Sequence, residues 1–143
     1  MTRWTRRALI VLAYFCAISA VGGGVLGVAA DGAGVPLEYL KGTAFTSYLI
    51  PGLILGIVIG GTQTLAAITT QRHHPYSHIA STVAGFGMII WIFVELAITG
   101  YVWLQTLYLA LGIAEIALVL LLMGMLRPLA RTRLARASVR SAP

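Results

Sequence analysis

Two carboxylates, Glu95 and Glu115, stand inside otherwise uncharged apolar runs of this 143-residue chain. An ionised carboxylate in hydrocarbon is costly. Where one occurs it marks a proton, cation or polar-headgroup site, or it sits neutral in a hydrogen bond between helices. No Lys or Arg lies within the same runs to pair with either acid. Each is therefore expected to carry a proton or to face polar groups such as Gln63, Tyr14 or Ser19. Counted along a helix from the nearer break, Glu95 lies about 10 Å deep and Glu115 about 16 Å, near the midplane. Glu115 is the stronger candidate on depth. At this level the structural and functional readings of the two acids stand level, and Gln63 completes the candidate intramembrane polar site.

Other reactive residue types are placed less suggestively. His73, His74 and His78 crowd one short segment, but Pro75 interrupts a shared helical face and no carboxylate or cysteine is nearby. A solvated loop is expected there rather than a metal site. No histidine falls within an apolar run, which excludes a bis-histidine membrane haem. The chain has no Glu-x-x-His, no Cys-x-x-Cys and no Gly-x-Ser-x-Gly, so di-iron, dithiol and nucleophile-elbow chemistry have no residues to use. Cys16 reads as a small hydrophobe. No catalytic residue, cofactor or metal is expected, and an enzyme is the least favoured class.

The elements that must position Glu95 and Glu115 follow from charge and hydropathy. Hydrophobic residues make up 59% of the chain and charged residues 10%, against roughly 45–50% and about 25% in a soluble domain. With a mean hydropathy of +0.91, so small a chain cannot hide its apolar surface in a water-soluble globule. Residues 8–30 carry no charge, nor do residues 42–71, and residues 79–126 are interrupted only by the two acids. A crossing needs about 20 residues, so the last run must turn, and Thr99-Gly100-Tyr101 provides the break. The expectation is an all-α bundle of four transmembrane helices, at about 8–30, 48–70, 79–101 and 104–126. These form one membrane domain over 1–130, followed by a basic tail over 131–143.

Basic residues set the orientation. Arg3, Arg6, Arg7, Arg72, Arg127 and the four arginines of the tail segment fall on one side of such a bundle, and only Lys41 falls on the other. That asymmetry predicts a plasma-membrane protein with both termini in the cytoplasm. It also reads the net charge of +6 as a topology signal rather than a nucleic-acid footprint. Tyr39, Tyr48, Tyr101, Trp103 and Tyr108 gather at the opposite end, as an interfacial aromatic belt. The first apolar stretch is about 20 residues, longer than the ~7–15 of a cleaved signal, and is read as an uncleaved span. The 31–47 connection is the one long loop, and Pro36–Lys41 is expected to form a short interfacial helix capping the bundle.

Gly52, Gly56 and Gly60 recur every four residues in the second span. Such a stripe lets a neighbouring backbone approach closely, and Ala13, Ala17, Ala20, Gly24 and Gly27 offer a matching strip in the first. Packing of spans 1 and 2 against each other is favoured over a dimer seam.

Four segments carry a family resemblance: Pro36-Leu37-Glu38-Tyr39-Leu40, Phe45–Leu53 (Phe-Thr-Ser-Tyr-Leu-Ile-Pro-Gly-Leu), Trp91-Ile92-Phe93-Val94-Glu95 and Trp103-Leu104-Gln105-Thr106-Leu107-Tyr108. In these the chain resembles a group of small, uncharacterised four-helix bacterial membrane proteins, distantly DoxX-like. The resemblance implies the four-helix fold and a bacterial plasma membrane, and no reaction. Two function classes follow. The favoured one is a non-enzymatic accessory or stress-related membrane factor; the other is a small oligomeric transporter coupled to protons or cations through Glu95 and Glu115. The partners expected are the lipid bilayer and another membrane protein or a second copy, with no nucleic acid.

Overall fold

In a bilayer core no water is available to the backbone, so apolar runs must satisfy their N–H and C=O groups internally as helices. The computed structural model describes residues 2–32 and 34–125. Among these it is all-helical, with four helices long and apolar enough to cross a membrane. They are α1 (Thr2–Ala29), α2 (Leu49–Gln71), α3 (Ser77–Thr99) and α4 (Trp103–Leu122). The end of the expected fourth span at residue 126 and the tail over 131–143 lie outside the described residues.

The helices form a ring. α1 packs on α2 and α4, and α3 packs on α2 and α4, while neither diagonal pair packs along its length. One end of the bundle carries Arg3, Arg6, Arg7 and Arg72 and is called the arginine end. The other carries the 30–48 connection and is called the loop end. α1 starts about six residues before the charge-free run because helix geometry does not stop where hydrocarbon does; Arg3, Arg6 and Arg7 simply ride on its first turns. At about 42 Å, α1 overreaches a ~30 Å core.

Each break has a local cause. Asp31 and Gly32 take positive φ of 41° and 91° and stop α1. Gly100 ends α3 at φ 72°, ψ −171°, a conformation that costs a side-chain-free residue little. Gln105 then closes this tight turn: its Oε1 accepts the Val102 N–H at 3.1 Å, and its Nε2 donates to the Gly100 carbonyl at 3.0 Å. The expected interfacial helix at Pro36–Lys41 is instead a single 3₁₀ turn, Leu37–Leu40, with Pro36 just before it. Four residues are too few for the i→i+4 bonds of an α-helix to accumulate. Lys41 and Glu38 pair at 3.7 Å on its exposed face.

Two glycine seams hold adjacent helices. In the first, a β-carbon at Gly24 would stand 2.5 Å from the Gly56 Cα, and one at Gly27 would stand 2.9 Å from the Gly52 Cα. α1 and α2 therefore meet backbone to backbone, with Gly60 against Val21 further along. In the second, Gly85 of α3 and Gly112 of α4 face each other, each with its absent β-carbon 3.3 Å from the other's carbonyl oxygen. Close backbone approach of this kind is how helices associate when lipid removes the hydrophobic drive. Within α2, Ile54–Ile59 runs as a π-turn containing Gly56. The uniform apolar run Ile-Leu-Gly-Ile-Val-Ile carries no breaker to announce it, and it coincides with the closest approach of α1.

Candidate functional site

The loop half of the bundle encloses a cavity of about 480 Å³. Its walls come from five segments: α1 from Ser19 to Gly27, the 30–48 connection, the start of α2, the last three turns of α3, and the start of α4. The room exists because α1 and α2 contribute Ala20, Gly23, Gly27 and Gly52, which project little or nothing into it. Ala20, Met88 and Ile92 close its inner end and belong to a buried cluster with Cys16, Ile59 and Trp91.

Glu95 lines this cavity. It lies one helical turn after Trp91, and the Trp91 Nε1–H donates to Glu95 Oε1 at 2.9 Å. This i,i+4 bond fixes the carboxyl against the wall. No cation approaches it: among the described residues the only ion pair is Lys41–Glu38. Trp91, Tyr39, Tyr48 and Tyr108 line the same cavity, with Ser19, Thr99 and Gln105 as further polar groups. Of the five aromatics expected at this end as a belt, Tyr39, Tyr48 and Tyr108 line the cavity. Tyr48 is buried and Tyr108 partly so, whereas Tyr39, Tyr101 and Trp103 stay exposed. The i,i+4 spacing of Trp91 and Glu95 could have flagged their bond in advance; nothing local to Tyr48 or Tyr108 shows which way they face.

Tyr48 ties down the cavity rim. Its backbone N–H donates to Asp31 Oδ1 at 2.9 Å, its hydroxyl donates to the Pro36 carbonyl at 3.0 Å, and its ring covers Gly32. Burial, then the neighbouring Tyr39 and Asp31, holds the Tyr48 phenol above its ordinary ionisation range.

Glu115 lies elsewhere, at the bundle centre and fully buried, together with Gln63. Gln63 Nε2 donates to Glu115 Oε2 at 2.8 Å. The remaining oxygens, Gln63 Oε1 and Glu115 Oε1, have no partner. A proton on Glu115 Oε1 would make it a donor and leave Gln63 Oε1 as the waiting acceptor, so the pair suits a neutral acid against an amide. Of the three polar groups named as possible neighbours of the acids, Gln63 meets Glu115 and Ser19 lines the cavity with Glu95. Tyr14 meets neither; its hydroxyl donates to Gln71 Oε1 at 2.6 Å. The two acids do not form one site. Ala20 and Met88 floor the cavity, and Cys16 and Ile59 pack behind them, one turn before Gln63 in α2.

The histidines sit at the arginine end. Arg6 donates to the His73 ring, and His74 Nδ1 accepts the Tyr76 N–H at 3.4 Å. No grouping of three or more metal-ligating side chains occurs among the described residues. Gly52, Gly56 and Gly60 face α1, not lipid.

Comparison with protein families, with curated proteins and with solved structures finds no match to this chain.

Proposed function

We propose that this is a non-enzymatic multi-pass protein of the bacterial plasma membrane, with both termini in the cytoplasm, that acts as an accessory factor by binding a hydrophobic ligand in its loop-end chamber. The chamber carries the reading. Its 480 Å³ falls in the range of about 300–1,000 Å³ typical of small-molecule sites, and it combines apolar walls with a few convergent polar groups. No nucleophile stands beside a base in its wall, which supports binding over catalysis. The bias of nine arginines against Lys41 supports the orientation; in that orientation the chamber lies in the outer leaflet. Apolar residues such as Val11, Phe15, Ile18 and Ile90 cover the outside of the bundle; lipid is their partner, with room for a second copy or another membrane protein.

The test uses Trp91 as reporter. Trp4→Phe and Trp103→Phe leave it the only tryptophan. In nanodiscs, a brominated alkyl probe should quench Trp91 saturably, at one site per chain, and Ser19→Phe should abolish the saturable part by filling the chamber. Quenching that rises linearly with probe and ignores Ser19→Phe would overturn the reading.

The rival reading, a proton- or cation-coupled transporter using Glu95 and Glu115, draws support from the unpartnered Glu115 Oε1. The packed layer of Cys16, Ala20, Ile59 and Met88 between the acids favours binding over a relay.

A further inference from the structure

The geometry points to a hydrophobic organic monocation as the ligand of the loop-end chamber, with Glu95 as its counter-ion; this rests on the chamber reading above. Three features converge on it.

The first is the carboxyl itself. Glu95 is a chamber wall residue with one oxygen held by Trp91 and no Lys or Arg beside it. A carboxylate in an apolar cavity is left with an uncompensated desolvation cost. A bound cation offsets that cost, whereas a neutral ligand leaves it and an anion adds to it.

The second is the aromatic wall. Trp91, Tyr39, Tyr48 and Tyr108 all line the cavity. Ring faces attract cations, most strongly when water is excluded, and they also accept the apolar body of an organic ion. A small hydrated metal ion gains little here: the wall offers no carboxylate besides Glu95, and the volume is far larger than such an ion needs.

The third is the charge distribution around the mouth. At the loop end stand Asp31, Glu38 and Glu95 against Lys41, and Lys41 is already paired with Glu38 on the exposed surface. Arg3, Arg6, Arg7 and Arg72 are at the other end, and the remaining five arginines follow residue 126. The resulting negative field at the mouth draws in cations and repels anions.

The experiment compares two probes of similar shape, methyltriphenylphosphonium and neutral triphenylphosphine oxide. Binding is measured by equilibrium dialysis against nanodiscs of zwitterionic lipid, with empty nanodiscs subtracted. Wild type should bind the cation at least about tenfold more tightly than the neutral probe, the ratio that ~1.4 kcal/mol produces. Glu95→Gln keeps an acceptor for the Trp91 indole and removes the charge. It should bring the two affinities together while retaining the neutral probe. Glu115→Gln, outside the chamber, should leave the preference intact. Saturable binding of both probes with equal affinity, or a preference that survives Glu95→Gln, overturns the inference while the chamber stands. Loss of the preference in Glu115→Gln instead overturns the assignment to Glu95. If neither probe binds saturably, the chamber reading falls and the inference with it.

Discussion

Gln63 and Glu115 are hydrogen-bonded across the diagonal of the bundle, at 2.8 Å, although α2 and α4 do not pack along their lengths. Two side chains thus span the centre of the ring and join helices that their backbones leave apart. Both are fully buried, so each depends on the other for a polar partner.

Removing one side of that pair should cost more than removing both. Glu115→Leu strands the Gln63 amide, a loss of about 1–3 kcal/mol by the usual penalty for a buried orphan. Gln63→Leu combined with Glu115→Leu should recover much of it. Glu115→Gln keeps a donor and an acceptor and should be milder than Glu115→Leu. A double-mutant cycle on unfolding in detergent reads this, and a coupling indistinguishable from zero would show that the bond does not hold the bundle together.

Gly24 is the tightest point of the α1–α2 seam. Gly24→Ala drives a methyl group onto the Gly56 Cα at 2.5 Å and should destabilise by about 1–3 kcal/mol, as overpacking does. Gly56→Ala meets its nearest neighbour at 3.4 Å and should be milder, while Gly56→Leu should again be severe. Gly22→Ala, with nothing within 4 Å, is the control. Thermal melting in a mild detergent should rank them in that order.

Alkaline pH should loosen the chamber rim. Because the folded protein holds the Tyr48 phenol above its ordinary value, the stabilisation is complete below the unfolded pKa of about 10 and is lost as pH rises through the folded one. The hydroxyl's bond to the Pro36 carbonyl should make wild type more stable than Tyr48→Phe at neutral pH, and the difference should shrink above pH ~10. A pH series of melting curves for the two proteins checks it; a difference that does not change with pH would be the contrary result.

Cysteine labelling tests the orientation. In a Cys16→Ala background, Gly34→Cys at the loop end should react with an impermeant reagent on intact cells, and His74→Cys at the arginine end should not. Reaction of the second alone would invert the bundle and put the chamber in the inner leaflet.

Much of the architecture is readable from charge and run length. Three runs follow from where Arg, Lys, Asp and Glu are missing, because hydrocarbon excludes them whatever the packing, and the length of the last run with its break at Gly100 makes it two helices. Glu95 and Glu115 are conspicuous for the same reason. Their partners are another matter. Gln63 meets Glu115 across the diagonal, a relationship set by ring order and helix rotation, which no single segment encodes. The chamber is less legible still, since it is made of missing volume at Ala20, Gly23, Gly27 and Gly52. A glycine stripe looks identical whether a backbone or a ligand occupies the space beside it. Gly52 does both, touching Gly27 and lining the cavity. The π-turn at Ile54–Ile59 is invisible because its residues suit any apolar helix.

The two glycine seams also bear on the order in which the bundle assembles. Each joins helices adjacent in sequence, α1 with α2 and α3 with α4, so each hairpin can close through local contacts soon after its second helix enters the bilayer. What comes last is the docking of one hairpin on the other. Until then Glu115 has no amide opposite it, and a polar group left without a hydrogen-bond partner in hydrocarbon is costly. An orphaned α3–α4 hairpin therefore exposes a polar flaw to lipid that only the arrival of Gln63 conceals. The acid that joins the finished bundle also marks the half-built one as incomplete.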